Sequence, residues 1–121
     1  VLDGMFEKES KTESDYFINE KLRTMYQAKD FGRYAREDGK LPTCFLSNND
    51  ITGGNSGSPI LNADGHLIGL AFDGNWEAMS GDIAFEPELQ RTINVDARYV
   101  LFIIDKYAGA KNLIDELTII K

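Results

Sequence analysis

Cysteine occurs once in this sequence, at Cys44, so no disulfide can form within the chain and the redox compartment stays open. Histidine also occurs once, at His66. Basic residues are outnumbered, 13 Lys and Arg against 20 Asp and Glu, for a formal net charge of −7. That balance argues against a nucleic-acid or anionic-membrane surface, either of which wants clustered cations. Long hydrophobic runs are missing too. The longest, Tyr99 to Ile104, is far too short to span a bilayer. No signal-peptide pattern opens the chain, because Val1 to Ser10 is acidic and mixed. There is no initiator Met, no internal repeat and no low-complexity tract, and the chain is expected to be a fragment of a longer polypeptide. What is present is ample apolar material, 42% hydrophobic and 11% aromatic over 121 residues. That suffices for one modest domain or part of a larger one.

Val1 to Glu13 is charged and without periodicity, which reads as a linker or frayed end. Ser14 or Asp15 is a candidate helix cap. Ile18, Leu22, Met25 and Tyr26 then share one helical face, and Gly32 with the polar run Arg36 to Lys40 closes the element. Strands are expected at Leu41–Leu46, Ser58–Leu61, His66–Phe72, Ile83–Phe85 and Arg91–Val95. The turn signal "NADG" at Asn62–Gly65 makes a hairpin of the second and third. Asp73 to Asp82 reads as a loop. Asn94 or Asp96 is the expected cap of a final helix with Val100, Ile103, Ile104 and Tyr107 on one face. Past Gly109, Leu113, Ile114 and Leu117 continue it.

The stretch that carries chemistry is "TGGNSGSPI", Thr52 to Ile60. A serine hydroxyl attacks only when a base takes its proton and donors await the oxyanion. Gly54 and Ser56 sit two apart, so their N–H groups can point into one small concavity. "GNSGSP" closely resembles the "GDSGGP" nucleophile turn of trypsin-like serine peptidases, which makes Ser56 the attacking serine and Ser58 a structural one. Asn55 departs from the aspartate that trypsin-like zymogens pair with a newly cut N-terminus. Ser58 spoils the G-x-S-x-G elbow of α/β-hydrolases. His66 lies at a hairpin end and reads as an exposed residue rather than the base. The His and Asp that such a serine needs would then lie upstream of this chain.

The resemblance extends further. "NDITGGNSGSPI", "LIGLAFDGNWEAMSGDI" and "LQRTINVDARYVLFIIDKY", with "KLRTMYQAKDFGRY" before them, are similar to the C-terminal end of the bacterial dipeptidyl-peptidases of the 7 and 11 types. The likeness covers about Lys21 to Leu117. It implies a trypsin-like double β-barrel with an added helical domain, removing dipeptides from free N-termini. Ser56 is then the nucleophile, and the backbone of Gly54, with Ser56, forms the oxyanion hole. Asp73 in "FDGNW" holds the substrate's α-ammonium. The 11 type, which prefers Asp or Glu before the cut bond, has an arginine where this chain has Gly74. Gly74 leaves an open pocket that suits a hydrophobic side chain at the second substrate residue, as in the 7 type.

Trp76 reads as local loop packing more than as a cleft wall. Cys44 reads as a buried small hydrophobe. Asp82, Glu86 and Glu88 lack His partners and regular spacing, so no metal site and no cofactor is called for. The expected fold class is mainly β with flanking helices, part of the second β-barrel of a trypsin-like double-barrel serine peptidase. Residues 1–13 form a linker, 14–40 a helical segment from an upstream helical domain, and 41–121 the C-terminal part of the second barrel with its helix. The expected partners are peptides with a free N-terminus and the upstream barrel and helical domain of the same polypeptide. No nucleic acid and no membrane span are expected. The isolated piece is expected to be inactive and to dimerise or exchange strands. The expected place is the periplasm or surface of a bacterium. The alternatives are a trypsin-like endopeptidase fragment and a non-catalytic binding domain on the same fold.

Overall fold

A computed structural model describes residues 1–80 and 86–120. The chain divides into two compact units, Val1–Thr43 with residues 98–120, and Cys44–Ala97. The strand expected over Ile83–Phe85 and the acid at Asp82 lie outside the described residues.

The first unit is helical. Helix α1, Asp3–Glu7, and α2, Glu20–Gln27, come before the sheet in sequence. Helix α3, Ala97–Phe102, runs on into a π-helical stretch, Ile103–Tyr107, and α4 follows at Lys111–Asp115. The core gathers Leu2, Ile18, Leu22, Met25, Phe31, Tyr34, Leu41 and Phe102. Three expectations change here. The stretch read as a linker holds α1, and Leu2 is fully buried, its N–H bonded to the Leu41 carbonyl at 2.8 Å. Helix α2 starts at Asn19 rather than Ser14 or Asp15, because the Asn19 side chain accepts from Leu22 N–H at 2.9 Å. Ser14–Tyr16 is only a 3₁₀ turn. On the last helix the buried residue is Phe102, outside the face read at 3.6-residue spacing. Ile103 and Tyr107 of the read face pack against the core, and the helix widens after Phe102, with Ala108 N–H reaching Ile103 C=O.

Polar groups fix the packing of this unit. Arg23 pairs with Glu9 and holds its carboxyl below the usual range, chiefly by hydrogen bonding. The buried Tyr34 hydroxyl donates to Asp105 at 2.7 Å. Burial first, then that bond, pushes the phenol up from 10.0 to about 12.

The second unit is a four-stranded antiparallel sheet in the order β1-β4-β3-β2. The strands are β1 Cys44–Ser47, β2 Pro59–Leu61, β3 Leu67–Gly74 and β4 Thr92–Asp96. The hairpin of β2 and β3 forms as the "NADG" signal implies, with Asn62 Oδ1 accepting from Asp64 and His66 N–H. Helical stretches take up more of the chain than these four strands, so a mainly β chain is not what results. One face of the sheet is closed over Thr92, Asn94 and Asp96, each 5% exposed or less. Asn94 is therefore a strand residue, not a helix cap, and its amide donates to Ser47 Oγ at 2.8 Å. Asp96 directly precedes α3. Opposite Asn94 stands Phe45, whose ring lies over Gly69. A Cβ at Gly69 would fall 2.6 Å from both Phe45 Cε1 and the Val95 carbonyl oxygen. Cys44, read as buried, is exposed, because β1 is an edge strand and Cys44 points away from the closed face.

Two measurements test this packing. Gly69→Ala forces the Phe45 ring off its seat and is expected to cost about 1–3 kcal/mol in urea unfolding, with an unaltered stability contradicting the close approach. The Tyr34 phenol titrates higher folded than unfolded. Its stabilisation is complete below about pH 10 and lost as pH rises toward about 12. Tyr34→Phe is expected to remove that part of the alkaline loss, and an unchanged pH slope would contradict it.

Candidate active site

Ser56 sits in the second of two consecutive β-turns. Asn55 N–H donates to Thr52 C=O at 3.1 Å, and Ser58 N–H to Asn55 C=O at 2.9 Å. The third residue of each turn is a glycine with positive φ, Gly54 at 96° and Gly57 at 87°. That is the type II pattern, which a side-chain-bearing residue enters only under strain. A β-turn uses the N–H of its fourth residue and leaves those of its second and third pointing outward. Gly54 is third in the first turn and Ser56 second in the next. Among the described residues neither amide donates to the protein, and the exposed Ser56 Oγ has no partner. Two free donors thus flank one bonded amide, beside a hydroxyl.

The turn is fastened to β3 at one residue. Gly57 N–H donates to Ala71 C=O at 2.7 Å, and Ala71 N–H to Ser58 C=O at 2.9 Å. Ala71 is 2% exposed. The register of β3 against β4 then shifts, with Ala71 opposite Asn94 but Asp73 opposite Ile93. Phe72 is the extra residue of this bulge. Two residues along a regular strand would put Asp73 on the closed face with Ala71. The bulge re-aims it to the other face, where it is exposed. Its Oδ1 accepts from Gly74 N–H at 2.8 Å, leaving further acceptor capacity on the carboxylate.

Gly74, next along, is half-buried. The space beside it, read as open, is filled. A Cβ there would lie 2.8 Å from Ala78 Cβ and 3.4 Å from Ile51 Cγ2. Ala78 belongs to a 3₁₀ stretch, Trp76–Ser80, set by Asn75, whose side chain accepts from Ala78 and Arg91 N–H. Trp76 is 81% exposed, so it does not pack locally as read. The turn with Gly54 and Ser56 and the strand end with Asp73 and Gly74 thus lie in one unit, the turn bonded to Ala71 just before the bulge.

His66 stays outside this group. It is exposed before the start of β3, and five residues along a strand separate it from Ala71 by roughly 16 Å. Glu86 and Glu88 are exposed, and among the described residues no three His, Cys, Asp or Glu side chains could hold a metal ion. No helix there is long and apolar enough to cross a membrane. A cavity of about 340 Å³ in the helical unit is lined by Asp3, Tyr26, Lys29, Phe31, Asp38 and Lys40 among others, a mixed charge set without a nucleophile. Sequence reasoning missed Ala71 as anchor and Phe72 as bulge. Apolar strand residues carry no outward mark of either role.

A family model described as Peptidase S46 matches residues 1–119. Dipeptidyl-peptidase 7 of Phocaeicola vulgatus is 61% identical over 121 residues, covering 100% of this chain and 17% of that protein. The Asp/Glu-specific dipeptidyl-peptidase of Porphyromonas endodontalis is 53% identical over 117 residues, covering 97% of this chain and 16% of that protein. The crystal structure of Porphyromonas endodontalis DPP11 in complex with the dipeptide Arg-Glu superposes with a TM-score of 0.91 at 52% identity, over 95% of this chain and 16% of that one. The chain spans 16–17% of the length of these curated relatives. With its sequence matched from residue 1 to 119 and its backbone superposed on a solved relative, the chain belongs to the peptidase S46 family.

Proposed function

We propose that this chain supplies the nucleophile and the amine-recognition carboxylate of a serine dipeptidyl-peptidase, as a catalytic segment of a longer polypeptide. The observation that carries the reading is the pair of unbonded amides, Gly54 and Ser56, beside the Ser56 hydroxyl and fastened through Ala71 to the strand that bears Asp73. A His base and its orienting Asp, supplied from outside this chain, complete the triad. The base takes the Ser56 Oγ proton as Oγ attacks the carbonyl of the substrate's second residue. The two amides donate to the oxyanion, and the proton passes to the leaving amine as the peptide bond breaks. Water then hydrolyses the acyl-enzyme and frees the dipeptide. Asp73 pairs with the α-ammonium and so measures two residues from the N-terminus.

The sheet is one part of the second barrel of a trypsin-like fold, completed by upstream strands and an upstream helical domain. Leu46 on β1 and Leu61 on β2, 63% and 55% exposed on the two edge strands, support that reading. The same edges favour pairing with a second copy when the piece is isolated, and alone it is inactive. The preferred second residue is hydrophobic. Ala78 and Ile51 beside Gly74 give an apolar wall, and identity is higher to the type 7 relative than to the Asp/Glu-specific one, 61% against 53%. The working place is the periplasm or surface of a bacterium.

The test follows dipeptide release by the full-length polypeptide from free and N-acetylated peptides bearing Leu, Phe, Asp or Lys second. Release is expected only from free peptides, fastest with Leu or Phe, and abolished by Ser56→Ala. Asp73→Asn is expected to lower kcat/KM roughly 10–100-fold, the loss of one charge-assisted bond. Equal cutting of acetylated peptides would indicate an endopeptidase, and no Ser56-dependent cutting a binding domain.

A further inference from the structure

Asn55 is the one residue between the two oxyanion donors, so its backbone angles, with those of Gly54, set how the Gly54 and Ser56 amides aim relative to each other. It is held at three points. Its N–H donates to Thr52 C=O at 3.1 Å and its C=O accepts from Ser58 N–H at 2.9 Å. Its side-chain Oδ1 accepts from Thr52 N–H at 2.9 Å. The two backbone bonds are open to any residue in these turns. The third needs a short arm ending in an acceptor, and it closes the first turn a second time. The need is physical, since Gly53, Gly54 and Gly57 leave this stretch more conformational freedom than any other residue type would. Donors must already be fixed when charge develops if they are to act at full strength. Where trypsin-like chains place an aspartate paired to a new N-terminus, this chain turns a neutral acceptor inward onto its own turn.

We propose that Asn55 is a positioning residue, an internal lock that keeps the two oxyanion donors convergent without a charged partner drawn from elsewhere. The inference rests on Ser56 as the nucleophile. It makes no contact with substrate necessary for Asn55.

The test uses the full-length polypeptide and two ligands, a dipeptidyl boronic acid that forms a tetrahedral adduct on serine and the free product dipeptide. Loss of one oxyanion donor costs about 10²–10³ in kcat, and a misaimed pair a share of that. Asn55→Ala is therefore expected to lower kcat and boronate affinity by about 10–100-fold, with KM and product-dipeptide affinity within about threefold of wild type. Asn55→Asp keeps an acceptor at the same reach and is expected to restore most of both losses. The lock is overturned if Asn55→Ala keeps wild-type kcat and boronate affinity. Equal loss of product affinity, or an Asp variant as impaired as Ala, overturns it too. Ser56→Ala runs beside them. If that variant still forms the adduct, the nucleophile assignment itself fails and the lock falls with it.

Discussion

The pair of backbone hydrogen bonds between Ala71 and the turn at Gly57 and Ser58 is the constraint on which the candidate site depends. A glycine-rich turn has no packing of its own to hold it. Bonded at 2.7 and 2.9 Å to a buried residue of a central strand, it takes its position from the sheet. The same residue marks where β3 leaves regular register, so the bulge that turns Asp73 outward starts at the turn's anchor. The turn that holds Ser56 and the carboxylate of Asp73 are thereby tied to one strand.

That strand is itself held by an uncommon arrangement. The closed face of β4 carries Thr92, Asn94 and Asp96 rather than aliphatic side chains. Buried polar groups are costly unless bonded, and here Thr92 reaches Asn49 C=O at 2.8 Å and the Asn94 amide nitrogen reaches Ser47, while Asn94 Oδ1 has no partner among the described residues. These bonds stitch β4 to the β1 end, while Gly69 makes room for the Phe45 ring across the face. A polar seam of this kind fixes register more tightly than an aliphatic one, because a slipped strand strands its donors.

Much of this was legible in the sequence where the signal is local. The "NADG" hairpin, the apolar face of Ile18, Leu22 and Met25, and the glycine turn all follow from spacing over a few residues. Asp73 and Gly74 are singled out by the family resemblance alone. Long-range pairings were not legible. Leu2 looks like one apolar residue in a charged stretch until the Leu41 carbonyl meets it. Cys44 and Asn94 sit on faces that only strand order assigns. The π-helical turn after Phe102 breaks the periodicity on which a helical face is read. Gly74 shows the limit most plainly. Absence of a side chain suggested open space, whereas Ala78 arrives there from a turn that Asn75 sets.

In the proposed reading Ser56, the Gly54 and Ser56 amides and Asp73 form one peptide-end site. A crystal structure of the full-length polypeptide with a bound dipeptidyl boronic acid tests it most directly. Boron is expected on Ser56 Oγ, with a boronate oxygen within hydrogen-bond distance of the Gly54 and Ser56 amides and the dipeptide ammonium paired with Asp73. Boron bonded elsewhere, or an ammonium held by other groups with Asp73 free, would contradict it.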